Sequence, residues 1–268
     1  MPIRRTNIRC LLLIACPIAC TAAWAWTPLP PVPAAPHRGT AGQAGQARKN
    51  PKDGLDYVWI PPGKFTMGCS TGDTKCQDEE KPAHKVTITR GFWLGRTEVT
   101  GAAFQKFAKA THRENEGGDD SSMPVLRANW NDATHYCEWA GMRLPTEAEW
   151  EFAARANTTE PRYGPLDEVA WYDGNSGGKA HPVGGKRPNP WGLYDMLGNL
   201  GEWVSDWFGP YNQNVSTDPA GPERGRYRVV RGGTWLDYGM ACRASSRNAF
   251  DESDRTDRFG FRCAGQLR

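Results

Sequence analysis

Two carboxylates and a Gly-Asn turn, set among aromatic side chains, are the first residues of this sequence whose types and spacing suit chemistry. They lie in the stretch Gly-Leu-Tyr-Asp-Met-Leu-Gly-Asn-Leu-Gly-Glu-Trp-Val-Ser-Asp-Trp-Phe, where Asp195 and Glu202 flank Gly198 and Asn199. Its large apolar residues seek burial. A carboxylate carried in with them must be paired, hydrogen-bonded or bound to a cation, because an isolated buried charge is strongly disfavoured or shifts its pKa until it is neutral. Two arrangements satisfy that demand: a hard-cation site, or a turn in which Asp195 and Glu202 accept backbone N–H groups. Spacing alone does not separate them.

Other reactive side chains read more plainly. Cys69 and Cys76 bracket six residues, Ser-Thr-Gly-Asp-Thr-Lys, and in an exported chain a local disulfide is their most economical use. Neither a histidine nor a second cysteine pair stands close enough to complete a tetrahedral metal set. Thr146-Glu147-Ala148-Glu149 is a capping box whose acids suit a helix N-terminus, so Glu147, Glu149 and Glu151 are read as structural. His37, His84, His112 and His135 are given no chemistry. Asn157-Thr158-Thr159 and Asn214-Val215-Ser216 are glycosylation sequons.

The elements that must position these residues can be read along the chain. Met1 to Ala25 carries a basic start (Arg4, Arg5, Arg9), a short apolar run and a small-x-small ending, the pattern of a secretory signal and not of a membrane span. Leu13-Ile14-Ala15-Cys16 also has a lipobox-like form that would make Cys16 a lipid anchor; cleavage after Ala25 is preferred because Cys16 leaves only a very short apolar region before it. Residues 26–52, rich in Pro, Ala, Gly and Gln, read as a disordered tether. The folded domain is placed at 53–268. Its opening is read as a hairpin, with a strand at Tyr57–Ile60 turning through Pro61-Pro62-Gly63 into Lys64–Met67. Lys85–Thr89 alternates as a half-buried strand that Phe92–Gly95 continues. Three helices follow, capped by Thr100, Asn131 and Thr146.

Composition bounds the function. The 30 Gly, 21 Pro and 12 Trp of this 268-residue chain predict many turns and little regular structure. The formal net charge of +3 is matched by the three leader arginines, so the exported domain is close to neutral. Nucleic acid and anionic membranes are therefore not expected partners.

Seven ordered segments together resemble the formylglycine-generating enzyme family, the sulfatase-modifying factor domain. They are Trp59-Ile60-Pro61-Pro62-Gly63 with Met67-Gly68; Thr97-Glu98-Val99-Thr100; Trp139 to Glu151; Gly192-Leu193-Tyr194-Asp195; Gly198-Asn199 with Glu202-Trp203; Val230-Arg231-Gly232-Gly233; and Gly260-Phe261-Arg262. The resemblance implies a single α+β domain of the sulfatase-modifying-factor fold, in the C-type lectin-like superfamily, with sparse regular secondary structure. It also implies a structural Ca²⁺ held by the Asp195 side chain, the Gly198 and Leu200 carbonyls and the Glu202 side chain, an oxygen-only set that suits this cation. Gly201 departs from the family, which usually carries Trp there. A disulfide between Cys137 and Cys263 is implied as well, closing a long loop at a gain of several kcal/mol in the chain-entropy model. Cys242 is then left unpaired. Some members pair its equivalent with a cysteine of the third helix, but Ala154 stands at that position here.

The larger departure concerns copper. Family enzymes bind copper(I) through two cysteines soon after the Arg-Gly-Gly turn, soft thiolates being selective for that metal. Here the run is Thr234-Trp235-Leu236-Asp237-Tyr238-Gly239-Met240-Ala241-Cys242-Arg243: Asp237 replaces the first copper cysteine and the shortened segment lacks the second. Copper is therefore not expected. With its secretory leader the chain is expected to be exported, periplasmic or extracellular, and a monomer. Its leading function is that of an oxidoreductase-class maturation factor for a secreted peptide, protein or metabolite, some copper-free exported relatives being associated with maturation of secreted siderophores. Asp237, Tyr238, Cys242, Arg243 and Arg247 are its candidate catalytic residues. Against each stands a simpler reading, Arg243 and Arg247 pairing with Asp251 or Asp254 and Tyr238 lying in the core. The alternative is a non-catalytic lectin-like binding or scaffold module; oxidation of a sulfatase cysteine to formylglycine is disfavoured by the missing pair.

Overall fold

The computed structural model describes residues 42–113, 122–214 and 216–267. The predicted signal peptide, Cys16 and the first part of the tether lie outside them. Among the described residues, no helix is long and apolar enough to cross a membrane.

The described residues form a mixed α+β structure built on short strands. One sheet runs β1 (Ala47–Lys49), β2 (Asp56–Ile60), β5 (Phe92–Gly95) and β13 (Ala264–Gly265). A second sheet has the order β11 (Arg247–Phe250), β10 (Arg228–Arg231), β8 (Gly201–Trp207) and β12 (Phe259–Gly260). A third joins β3 (Gly63–Met67), β4 (His84–Ile88) and β9 (Ser216–Thr217), and β6 (Ala170–Trp171) pairs with β7 (Leu197–Gly198). The helices are α1 (Gly101–Thr111), α2 (Trp130–Trp139), α3 (Glu147–Arg155) and the single turn α4 (Leu166–Val169).

Four local expectations are corrected. The hairpin at Tyr57–Met67 does not form, because β2 pairs with β5 and β3 with β4. Pro61 and Pro62 lack the N–H donors that continuous pairing would need, and the chain passes from one sheet to another there. Phe92–Gly95 likewise does not continue β4 but lies in the first sheet. Helix α2 starts two residues earlier than expected: Asn129, not Asn131, accepts from the Asp132 N–H, and Asp132 reaches back in a reciprocal capping box. Finally, Ala47–Lys49, placed in the tether by composition, pairs with Lys49↔Asp56 and Ala47↔Val58. All its side chains are exposed, so its order comes from backbone pairing that leaves no hydrophobic pattern.

Apolar faces of these elements form two main cores. Val58, Ile60, Leu94, Trp150, Phe152 and Val204 belong to one, while Trp93, Phe104, Phe107, Tyr136, Trp203 and Phe261 belong to the other. Full burial of each such side chain contributes roughly 1.5–3 kcal/mol. Both disulfides are formed, Cys69–Cys76 and Cys137–Cys263. The second ties α2 to the segment between β12 and β13. Gly201 accounts for its own departure from the family: a Cβ there would lie 2.8 Å from Val230 Cγ1 and against Thr234 and Phe259, which leaves no room for an indole.

Candidate functional site

The stretch Gly192–Phe208 turns before it becomes β8. Asp195, Gly198 and Asn199 all adopt left-handed backbone (φ 52°, 73° and 57°). At Gly198 the conformation and the space both demand glycine, since a Cβ would sit 2.2 Å from the Trp171 carbonyl oxygen. Backbone bonds clamp the turn, with Asn199 N–H donating to Trp171 O (2.8 Å) and Gly198 N–H to Gly232 O (2.9 Å). The Asn199 side chain is buried; its Nδ2 donates to Glu98 Oε1 (3.0 Å) and to His181 O (3.2 Å), and its Oδ1 accepts from His181 N (2.9 Å).

Beside this turn three buried carboxylates meet one guanidinium. Arg262 donates Nε to Glu202 Oε2 (2.7 Å) and Nη2 to Glu202 Oε1 (2.6 Å), and the Trp150 indole N–H adds a bond to Oε2 (2.8 Å). The remaining donors of Arg262 reach the Gly95 and Tyr194 carbonyls. Asp195 Oδ2 accepts from Gly184 N–H (2.6 Å). Thus the backbone-capping arrangement holds for Asp195, whereas Glu202 is held by an arginine that only the family resemblance had singled out. Glu98 is fully buried; no neighbouring group donates to its Oε2, and its carboxyl shares a side-chain hydrogen bond with Asp195. Burial, followed by the charges of Asp195 and Glu202, pushes the Glu98 carboxyl well above the usual range. Burial likewise moves Asp195 up to about 6, against the lowering pull of the Gly184 N–H and Arg262.

Among the described residues no three His, Cys, Asp or Glu side chains converge as a metal cage would. A tetrahedral side-chain site is therefore not present there. The donor set is instead oxygen from two carboxylates and a carbonyl-bearing turn, which suits a hard cation with mixed ligands. The Glu98 oxygen to which no group donates is the observation that fits such an ion.

A second locus follows the Arg-Gly-Gly turn, where Asp237 Oδ2 accepts from Thr234 N–H (2.9 Å) and Asp237 O accepts from Asp173 N–H (3.0 Å). This folds residues 234–241 into tight turns that present Leu236, Tyr238 and Met240 at 47%, 74% and 44% exposure. Tyr238 is therefore a surface residue and not core. Cys242, the unpaired cysteine among the described residues, is buried against Val169, Ala170 and Leu197. Burial, with Asp237 adding to it, pushes its thiol up to about 12, which keeps it protonated and unreactive.

The two candidate arginines lead away from this surface. Arg243 makes a bidentate pair with Glu80 (2.6 Å for both bonds) and a third bond to Asp73 (3.0 Å). Arg247 pairs with both oxygens of Glu147 (2.8 and 2.7 Å). Their partners are thus the acids of the 78–80 turn and of α3, not Asp251 or Asp254, which cap a local turn of their own. Of the five candidates, Asp237 and Tyr238 reach the surface, Cys242 lies beneath them and the arginines hold the core.

Sequence reasoning missed Glu98, Trp171 and His181. The His181 ring stacks on Trp171 with centroids 3.7 Å apart, and Lys186 Nζ lies 3.9 Å from the centroid of the same indole. The Tyr172 ring, next in sequence to this stack, approaches Gly239 of the exposed loop. Glu98 could have been noticed as an acid two residues before a helix cap in an apolar setting. His181 carried no signal, because its partner is ten residues away across a turn-rich loop.

With this geometry established, comparison with known proteins is specific. Residues 43–267 match the family model described as the Sulfatase-modifying factor enzyme 1-like domain. The formylglycine-generating enzyme of Streptomyces coelicolor is 33% identical over 284 residues, spanning 80% of this chain and 90% of that protein. The structure of PvdO from Pseudomonas aeruginosa aligns with a TM-score of 0.77 at 31% identity, covering 85% of this chain and 100% of that one. Treponema denticola variable protein 1 aligns at 0.70 with 25% identity, over 82% of this chain and 98% of that one. Together with the α+β architecture, these matches establish that the chain belongs to the sulfatase-modifying factor, or formylglycine-generating enzyme, family.

Proposed function

We propose that this protein is an exported member of the family that acts in maturation of a secreted peptide or metabolite without a copper(I) thiolate pair. One observation carries the reading: the unpaired cysteine among the described residues is buried and held protonated, so the surface after the Arg-Gly-Gly turn offers oxygen and aromatic groups in place of soft thiolates. Asp237 and Tyr238 occupy that surface, bordered by Tyr172. Asp237 accepts a backbone N–H and would receive a proton from a bound group; Tyr238 supplies an exposed aromatic face for substrate. The two disulfides are compatible with an oxidising, exported setting.

Calcium belongs to the same proposal as a structural ion at the Gly198–Asn199 turn. Asp195 and the carbonyls of Gly198 and Leu200 would hold it. Bound there, it would neutralise buried carboxylates and fix the turn on which His181 and Trp171 rest.

A second reading is favoured by one specific observation. Arg243 and Arg247 are committed to buried ion pairs, so the exposed loop carries no nucleophile or strong base, as in a catalytically silent module that holds peptide or glycan. Incubation with copper(I), oxygen and a Cys-x-Pro-x-Arg peptide, followed by mass spectrometry, tests the shared core of both readings. We expect an unmodified peptide cysteine; conversion to aldehyde sinks both. Turnover of a secreted peptide or metabolite that is lost in Asp237→Ala selects the enzyme, and binding without turnover selects the module.

A further inference from the structure

We propose that a cavity between α2 and β8 is a second binding site, which takes a carboxylate carried on an apolar group the size of one amino acid. The cavity measures about 280 Å³, near the small end of ligand pockets. No residue of the exposed loop after the Arg-Gly-Gly turn lines it, so the site stands apart from the one described above.

Two local features build it. Trp130, Thr134 and Glu138 recur every four residues along α2, and the helix thereby turns one row of side chains toward the cavity. Across from them β8 and β10 slip out of register. Arg228 pairs with Trp207 and Val230 with Trp203, so Val204, Ser205 and Asp206 stand opposite Val229 alone. Such a bulge bends a strand and re-aims its groups, often beside a functional site. Here the Val204 carbonyl accepts from Trp130 Nε1 (2.8 Å) and the Ser205 carbonyl from Arg228 Nη1 (3.0 Å).

Arg228 marks the anion end. Its guanidinium lies between the Trp130 and Trp207 rings, 3.6 and 3.4 Å from their centroids. Nε donates to Glu252 at 3.3 Å and Nη1 to Ser205 O, while Nη2 keeps its N–H groups without a hydrogen bond to a described residue, although the side chain is only 11% exposed. A fixed, largely desolvated guanidinium with one free edge suits a carboxylate. Arg143 also lines the cavity, but both its Nη groups are tied to Glu149 at 2.7 and 2.6 Å, which leaves Arg228 as the better receptor.

The remaining walls define the rest of the ligand. Trp130 and Leu144 offer apolar surface. Glu138 is exposed, and its carboxylate has no hydrogen bond or ion pair with a described residue, so it is free to accept an N–H. A carboxylate, an apolar side chain and an N–H donor are together the parts of an amino acid. A free amino acid and the last residue of a peptide share this chemistry.

The test is calorimetric titration of the full-length protein with L-phenylalanine, N-acetyl-L-phenylalanine and N-acetyl-L-phenylalaninamide. At least one of the two carboxylates is expected to bind with a Kd on the order of 1 mM or tighter. The amide is expected to bind at least tenfold more weakly, because it offers Arg228 no charged oxygen pair. A preference for L-phenylalanine that disappears in Glu138→Gln identifies the free amino acid; N-acetyl-L-phenylalanine binding as tightly or more tightly identifies a peptide terminus. A preference for L-phenylalanine that survives in Glu138→Gln overturns the role of Glu138. Arg228→Gln is expected to weaken carboxylate binding at least tenfold, with a melting curve to verify folding. Thr134→Phe fills the cavity, leaves Arg228 in place and is expected to abolish binding; it decides the location should Arg228→Gln not fold. No saturable carboxylate binding up to about 10 mM, equal affinity for carboxylate and amide, or full binding in Thr134→Phe overturns the site.

Discussion

Arg262 and Glu202 form a two-bonded ion pair, Nε to Oε2 at 2.7 Å and Nη2 to Oε1 at 2.6 Å, with neither side chain reaching solvent. It joins β8 to the segment between β12 and β13, and through the Gly95 and Tyr194 carbonyls it also anchors the end of β5 and the start of the carboxylate turn. The pair is thus a junction between the second sheet, the first sheet and the candidate cation site.

Removing one partner should leave an uncompensated buried charge. We expect Glu202→Gln to lower the unfolding free energy by about 3–5 kcal/mol, measured by urea titration. A loss below about 1 kcal/mol would show that water reaches Arg262.

Cys242 should behave as an inert core residue. Its thiol, pushed up to about 12 by burial, should resist alkylation in the native protein at pH 8 and react once the chain is unfolded in denaturant. Peptide mapping of iodoacetamide adducts reads both states. Rapid native labelling at Cys242 would restore it as a candidate nucleophile.

Asp206 gives the fold a pH dependence of defined sign. Burial, with Glu147 next, raises its carboxyl to about 7, although its Oδ2 accepts the Glu147 N–H and the Ser205 hydroxyl. A carboxyl whose folded pKa exceeds its unfolded one stabilises the protein fully below the unfolded value, and that contribution is lost as pH rises through the folded value. Asp206→Asn should therefore gain stability relative to wild type between about pH 4 and pH 7, by an amount on the order of 4 kcal/mol at most. Denaturant titrations of both proteins across that range give the difference directly; a flat difference refutes the assignment.

The Cys137–Cys263 bridge, with a sequence separation of 126, constrains more of the unfolded chain than Cys69–Cys76, with a separation of 7. Replacing the long-range pair by alanines should cost about 4–5 kcal/mol, against a smaller loss for the local pair. Equal losses measured by calorimetry would argue that loop closure is not the dominant contribution.

The sequence alone determined the family, and with it the α+β class and the Cys137–Cys263 bridge that the resemblance implies; it determined directly the local Cys69–Cys76 bridge and two of the three helix caps. The directly read features rest on local spacing: Thr146 announces itself by Glu149 three positions on, Thr100 by the apolar face of Phe104, Phe107 and Ala108 that follows it, and seven short segments in fixed order carry the family. It also flagged Asp195 and Glu202 as carboxylates that burial would force into partnership. Tertiary structure alone decided who the partners are. Arg262 meets Glu202 from sixty residues away, and Glu98 meets Asn199 from one hundred and one, distances over which chain spacing carries no geometric information. The same holds for Arg243 with Glu80 and Arg247 with Glu147, where nearby acids at Asp251 and Asp254 were the obvious local choice. Sheet membership was hidden for a related reason, since β2 and β3 are adjacent in sequence but their backbone partners come from different sheets. What a buried charge requires can be read from its neighbours in the chain; which group supplies it is fixed only when distant segments pack together and exclude water.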